Sequence, residues 1–193
     1  MELSNEFKRR LNTIAENYVA LDDVYTTKEK IEKSTDFSYL GDGWGRCVFD
    51  PPDREDIVVK FAYRRYGKAN GFQQNATEWN YWSLFCENYN QEVQDCFVPV
   101  VEIPDDKSWL VMERCDPVGG EEVSDEVSLD EDLSDVEEAQ TNDRSGVPYY
   151  DHIGLMCVLS DHGITLTEAG IEETGYHREK LKFYDYGRKI DSN

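Results

Sequence analysis

The fold can be predicted from two neighbouring segments, Gly41-Asp-Gly-Trp-Gly-Arg-Cys-Val-Phe49 and Ile57-Val-Val-Lys-Phe-Ala62. Tyr39-Leu40 leads into the first segment, so the pattern predicts a strand, a glycine turn and a second strand. Pro51-Pro-Asp53 favours another turn, and the β-branched residues after it predict a third strand. We therefore expect an antiparallel sheet in the first half of the chain.

The glycines of the first turn are compatible with phosphate binding. Gly41, Gly43 and Gly45 have no Cβ, so backbone amides in this turn can approach a phosphate closely. The same residues also suit a hairpin turn that binds nothing. The spacing alone leaves both interpretations open.

Lys60 interrupts the apolar third strand. If its side chain faces inward it needs an anionic partner, because an unpaired buried ammonium is costly. Glu78, near the start of the next predicted helix, is the candidate partner. The alternative is that Lys60 faces solvent on an alternating strand.

A carboxylate near the C-terminus is a candidate magnesium ligand. Asp185 lies in Tyr184-Asp-Tyr-Gly187, at the end of a predicted strand and before a permissive glycine. Magnesium prefers hard oxygen ligands of this kind. A strand-to-turn aspartate with no ligand would show the same pattern.

The rest of the pattern predicts further helices and strands. Phe7, Leu11, Ile14, Tyr18 and Leu21 recur at steps of three and four, which predicts an amphipathic helix over residues 5–20. Further elements are a helix over 75–89 with Trp79, Trp82, Leu84 and Phe85 on one side, strands over 98–103 and 109–112, a helix from 149 ended by Gly163, and short strands after it.

The chain is strongly acidic, with 41 Asp and Glu against 20 Lys and Arg and a formal net charge of −21. No Lys or Arg occurs from Cys115 to Asp143. Low hydrophobicity with charge of one sign predicts a disordered insertion over residues 119–146. Such charge makes nucleic acid and membrane surfaces poor partners. A halophilic or viral origin would also explain it.

Other sequence signals exclude several classes of protein. The chain has no apolar run long enough to span a membrane and no secretory signal, so we expect a cytoplasmic protein, in the host cytoplasm if it is viral. The five cysteines lack zinc-site spacing, and Cys115 and Cys157 are expected to be structural thiols in apolar surroundings.

Taken together, these motifs resemble the protein kinase-like superfamily, in the small, degenerate form known from phages, mobile elements or haloarchaea. The order is a glycine-rich loop, a Val-Val-Lys strand, a helix with a Glu, a hinge at Met112-Glu113, and Asp-Tyr-Gly in place of Asp-Phe-Gly. The segment 68–78 is similar to the lead-in to the regulatory helix. The resemblance covers residues 37–113 well and 149–187 loosely.

The resemblance implies a fold and a nucleotide site. The fold would be α+β, with an antiparallel-sheet N-lobe, one regulatory-type helix and a truncated, mostly helical C-lobe. ATP and Mg²⁺ would be the cofactors. Lys60, paired with Glu78, would grip the α and β phosphates, and Asp185 would bind magnesium. The other implied nucleotide contacts are Gly41, Gly43, Gly45 and Val48 around the phosphates, and the backbone from Glu113 to Cys115 at the adenine.

The chain departs from the family pattern at several positions. Arg46 stands where the loop would have its third glycine. Counting back from Asp185, the catalytic Asp and the metal-binding Asn fall on Glu168 and Glu173, which become the candidate base and second magnesium ligand. His177-Arg-Glu179 lies too close to Asp185 for a catalytic loop and predicts a hairpin turn.

These observations predict four regions. They are a helical extension over 1–36, a kinase-like N-lobe over 37–114, an acidic insertion over 115–148 and a truncated C-lobe over 149–193. Three functions stay open: a minimal Ser/Thr-type phosphotransferase, a catalytically inactive pseudokinase-like module that contacts an unknown protein partner, and an acidic nucleic-acid mimic.

Overall fold

The computed structural model describes residues 1–19, 24–43, 45–64, 68, 70–117, 149–166, 174–186 and 190–192. The first half contains α1 (Asn5–Tyr18), α2 (Val24–Ser34), β1 (Ser38–Asp42), β2 (Arg46–Asp50), β3 (Ile57–Ala62), α3 (Asn70–Asn88), α4 (Gln91–Gln94), β4 (Val100–Glu102), β5 (Trp109–Glu113) and β6 (Asp116–Pro117). The remainder contains α5 (Tyr149–Asp161), β7 (Ile164–Leu166), β8 (Thr174–His177), β9 (Lys180–Phe183) and β10 (Ile190–Ser192). The predicted α+β class is confirmed.

Within the described ranges, no helix has both the length and the apolar character needed to cross a bilayer.

A five-stranded antiparallel sheet forms the centre of the molecule, with strand order β1-β2-β3-β5-β4. Side chains alternate between its faces. Along β3, Val59 and Phe61 pack into one apolar cluster, whereas Val58 packs into another. Lys60 therefore shares the face of Val58, and it is only 3 % exposed. Of the two orientations left open for Lys60, the structure has the inward one.

Helix α1 packs against one face of this sheet, as its amphipathic pattern predicted. Ser4 caps the helix by accepting a hydrogen bond from the Phe7 amide at 3.2 Å. Leu11 and Ile14 are buried against the sheet. The Trp109 indole N–H donates to Asn12 Oδ1 at 2.8 Å and joins α1 to β5. The predicted contribution of Leu21 lies outside the described residues.

Helix α3 lies against the opposite face and differs from its prediction in two respects. It begins at Asn70 rather than residue 75, so Glu78 lies well inside the helix and not near its start. Leu84 is 38 % exposed, whereas Phe85 is buried. Successive helical residues differ by about 100° in direction, so only one of these two can face the core.

A second apolar cluster joins α3 to the C-terminal part of the chain. Phe85 stacks on Phe97 with ring centroids 4.3 Å apart, and Phe183 and Tyr186 contact the same ring. Leu159 of α5 is fully buried in this cluster. The described part of 149–192 contains one helix and four short strands, so the predicted mostly helical character applies to α5 alone. The helix ends at Asp161, and Gly163 follows with φ +71°.

The hairpin turn predicted at His177-Arg-Glu is present between β8 and β9. Arg178 and Glu179 have φ of 50° and 66°. Two-residue hairpin loops of this type need positive φ at both positions, for which Asn and Gly are the usual residues. A side chain in this region carries a steric cost, so the turn is locally strained.

Replacing Glu179 with glycine is expected to raise the free energy of unfolding by about 0.5–1 kcal/mol, because it relieves the clash at positive φ. Urea unfolding measures the change. The matched control is Glu55→Gly, in an exposed turn that has no positive φ. There glycine only adds freedom to the unfolded chain and should be destabilising. Equal losses in both variants would contradict the prediction.

Candidate functional site

Lys60 forms the predicted ion pair with Glu78. Its ammonium donates to Glu78 Oε1 at 3.1 Å and Oε2 at 3.2 Å, and to the carbonyl oxygen of Tyr184 at 2.8 Å. Glu78 is fully buried. Strand β3 supplies the cation and helix α3 the anion, and the Tyr184 carbonyl connects both to the segment after β9. The Lys60 ammonium is thereby held in one position by two elements.

Arg46 joins this pair, which the sequence analysis did not predict. Its Nη1 lies 2.8 Å from Glu78 Oε2, and its Nη2 donates to Asp185 Oδ1 at 2.6 Å. Burial opposes the charged form of Arg46, but Glu78 and then Asp185 outweigh it and raise the pKa of the guanidinium above its ordinary value. The side chain is therefore a permanent cation at 4 % exposure. In the sequence, Arg46 was noted only as standing where the loop would have its third glycine.

Asp185 reaches the same crevice as Lys60, as predicted. The four side chains Arg46, Lys60, Glu78 and Asp185, here called the cleft cluster, contain two cations and two anions, so their formal charges cancel. Asp185 is the most accessible member, with its side chain 39 % exposed. A ligand entering this crevice would therefore meet Asp185 before the buried Lys60–Glu78 pair.

The three glycines of the β1–β2 turn have different surroundings. A Cβ on Gly41 or Gly43 would meet no atom within 4 Å, so the loop is open at these positions. A Cβ on Gly45 would lie 2.5 Å from the Gly71 amide nitrogen. The close approach of Gly45 to α3 thus explains why this position has no side chain. The predicted contact of Gly45 with a phosphate stays a prediction. Val48, also predicted to line the site, is half-buried and pairs with Lys60 in the sheet.

In the predicted adenine-binding segment, Glu113 to Cys115, two backbone N–H groups already have acceptors, and adenine contact by the rest of this backbone stays a prediction. The Glu113 amide donates to the Pro99 carbonyl at 3.0 Å, and the Arg114 amide donates to the Asp56 carbonyl at 2.9 Å. Both N–H groups are thus used within the chain and cannot also bind adenine.

Burial raises the pKa of the Cys115 thiol to about 11, which fits its predicted structural role. Cys157, expected in apolar surroundings, is instead exposed.

The predicted base Glu168 and the predicted second magnesium ligand Glu173 lie outside the described residues, as do residues 118–148 of the predicted acidic insertion. The first residues of that insertion are described, and Asp116–Pro117 form β6, which pairs with β8. In the ranges that are described, no group of three or more His, Cys, Asp or Glu side chains is close enough to hold a metal ion. Asp185 is the one described residue among the predicted magnesium ligands. Its carboxylate has the right chemistry, but Arg46 already donates to Oδ1.

Comparisons with known proteins give structural neighbours only. No family model matches the chain, and no curated protein matches it in sequence. Among solved structures, it is similar to a co-crystal structure of WbdD with a kinase inhibitor (19 % identity, TM-score 0.48, 80 % of this chain) and to a high-resolution crystal structure of WbdD (19 %, 0.47, 80 %). It is also similar to a structure titled as the bifunctional kinase-methyltransferase WbdD (20 % identity, TM-score 0.43, 77 % of this chain). The chain spans about a third of the length of these structures, 33 %, 33 % and 30 % respectively.

Proposed function

We propose that this chain is a kinase-like protein that binds a nucleoside triphosphate in the crevice formed by the cleft cluster. The observation that carries the proposal is the buried Lys60–Glu78 pair, with the lysine on the third strand and the glutamate on the helix that follows it. In protein kinases a strand lysine paired with a helix glutamate positions the phosphates. The Lys60 contact to Tyr184 brings Asp185, the proposed magnesium ligand, into the same crevice.

The described residues fit a triphosphate. Lys60 and Arg46 provide cationic donors, whose charge Glu78 and Asp185 balance within the cleft cluster. A loop with open space at Gly41 and Gly43 lies next to them in the sheet, and the Gly43 amide donates to the Arg46 carbonyl at 2.9 Å. Magnesium fits less directly, because it would share or displace the Arg46 contact at Asp185 Oδ1. Bound magnesium would neutralise phosphate charge. In this proposal Asp185 and Glu173 hold the ion, and Glu168 accepts the proton of the acceptor hydroxyl.

Thermal unfolding with Mg-ATP tests nucleotide binding. A ligand that binds only the folded state stabilises it by about 2.7 kcal/mol at a hundred times its Kd, so above the Kd the unfolding midpoint should keep rising with the logarithm of the ATP concentration. Lys60→Met should abolish the rise. The control Lys33→Met removes an exposed lysine on α2 and should keep it. An unchanged midpoint in the wild type at millimolar ATP, or an equal rise in Lys60→Met, would contradict the proposal.

A second candidate, a non-catalytic module that works by contact with a partner, is favoured by the Arg46–Asp185 ion pair. Arg46 places a fixed cation against the carboxylate that would otherwise bind magnesium. Under this hypothesis ATP binds the wild type equally well with and without magnesium, and Arg46→Gln acquires magnesium dependence. A phosphotransferase would require magnesium in the wild type and would transfer labelled phosphate from ATP, with loss in Asp185→Ala.

A further inference from the structure

A pocket lined mainly by ionisable residues lies away from the cleft cluster, where the β8–β9 hairpin meets α4 and the end of β5. It has a volume of about 270 Å³ and shares no lining residue with the cleft cluster. Its ionisable lining residues are Asp95, Glu113, His177, Arg178, Lys180 and Lys182. We call it the hairpin pocket. In a chain of net charge −21, this cavity gathers three basic side chains, Arg178, Lys180 and Lys182.

The hairpin register brings these basic side chains together. Lys180 and Lys182 are two residues apart on β9, so both project from the same face of the strand. His177 is the cross-strand partner of Lys180. The strained turn at Arg178 and Glu179 directs the Arg178 guanidinium back to Glu113 at 3.0 Å. Strained backbone that survives in a folded protein is often associated with a functional position.

Both carboxylates of the hairpin pocket already have donors. Glu113 Oε2 lies 2.6 Å from His177 Nε2 and accepts from Arg178. Because a carboxylate only accepts, His177 Nε2 must carry the proton in this contact. Asp95 accepts from Gln91 at 2.8 Å and from Lys180 at 3.3 Å. Neither carboxylate is within ion-pair distance of Lys182.

Lys182 is the basic lining residue of the pocket that has no direct hydrogen-bond or ion-pair partner among the described residues. It is 7 % exposed, and its ammonium forms no hydrogen bond or ion pair with the described part of the chain. Burial lowers the pKa of Lys182, against the opposing attraction of Asp95. A buried ammonium without a partner is costly, so an anion placed beside it would recover interaction energy that the protein itself does not supply.

We propose that the hairpin pocket binds a phosphate-type oxyanion, free or as a phosphomonoester, with Lys182 as its buried contact and Arg178 and Lys180 at the rim. A tetrahedral oxyanion presents several acceptor oxygens and can contact three cationic donors at once. A single carboxylate has fewer acceptors. This inference does not depend on nucleotide binding in the cleft cluster.

Titration with inorganic phosphate at constant ionic strength and pH tests the proposal. In the wild type, the ring proton signals of His177 should shift saturably, whereas those of His162, which pairs with Glu92 elsewhere, should not. Lys182→Met should weaken phosphate binding by about tenfold, the loss expected for one charge-assisted hydrogen bond. Lys182→Arg should restore binding, and Lys33→Met should match the wild type.

Further measurements distinguish free phosphate from a phosphomonoester, and the hairpin pocket from the cleft cluster. Phosphoserine that binds as tightly as inorganic phosphate would indicate a phosphomonoester site, and tighter inorganic phosphate would indicate the free ion. Lys60→Met should keep the His177 response. The proposal is overturned if the wild type shows no saturable His177 shift, if acetate produces the same shift as phosphate, or if Lys60→Met abolishes it. The phosphate titration of the wild type tests the proposal even if Lys182→Met does not fold.

Discussion

Replacing Glu78 with alanine is expected to lower the free energy of unfolding by about 3–5 kcal/mol, the usual loss when one partner of a buried ion pair is removed. Glu78 is fully buried and contacts both Lys60 and Arg46. Without its carboxylate, two buried cations lose their common anion, and Asp185 can compensate only Arg46. Urea unfolding at pH 7, with the slope of the transition compared between variants, measures the loss.

Two further variants separate charge from packing at this position. Glu78→Gln keeps the shape of the side chain but not its charge, so it should lie between the wild type and Glu78→Ala. Glu29→Ala removes a carboxylate that pairs with Lys33 on the exposed surface of α2 and should leave stability nearly unchanged, because water screens such pairs. A Glu78→Ala protein as stable as Glu29→Ala would show that the cleft cluster contributes little to folding.

Replacing Gly71 with alanine is expected to cost about 2–3 kcal/mol, the upper part of the range of about 1–3 kcal/mol for overpacked positions. A Cβ at residue 71 would lie 1.9 Å from the carbonyl oxygen of Gly45. That oxygen also accepts the Tyr63 amide at 2.8 Å, so it cannot retreat without breaking a backbone hydrogen bond. The new methyl group must therefore push α3 away from the β1–β2 turn. Thermal and urea unfolding both measure the effect.

The matched control is Gly154→Ala, since Gly154 also lies in a helix. A Cβ there would meet nothing within 4 Å, and alanine is favoured over glycine inside a helix by about 0.5–1 kcal/mol. The two substitutions should therefore have opposite signs. If Gly71→Ala is neutral or stabilising, backbone contact between Gly45 and Gly71 does not hold in solution.

Local sequence pattern was sufficient to predict the sheet, and it named Glu78 as the candidate partner of Lys60, whereas the pair itself was implied by the family resemblance. The β-branched run around Lys60 predicted a strand, and the cost of burying an ammonium predicted a nearby carboxylate. These inferences hold because both rest on short-range periodicity and a strong physical penalty. The hairpin at Arg178 was predicted on different grounds, because His177-Arg-Glu179 lies too close to Asp185 in the sequence to form a catalytic loop.

Features that depend on distant contacts were missed. Arg46 binds Asp185 across 139 residues, and nothing in its neighbourhood indicates that its guanidinium is buried. The start of α3 at Asn70 was missed because Gly71 weakens a helix by intrinsic propensity. Only the approach of Gly45 shows why glycine is needed there. The adenine-binding prediction overlooked that Asp56 and Pro99 take the backbone donors of Glu113 and Arg114.

The touching backbones of Gly45 and Gly71 have a mechanical consequence for α3. At this point the helix cannot slide along the sheet without lifting the β1–β2 turn. Glu78 lies about two turns further along the same helix. A movement of α3 that withdraws Glu78 from Lys60 must therefore pivot close to Gly71. The β1–β2 turn would keep its position while the C-terminal end of the helix moves.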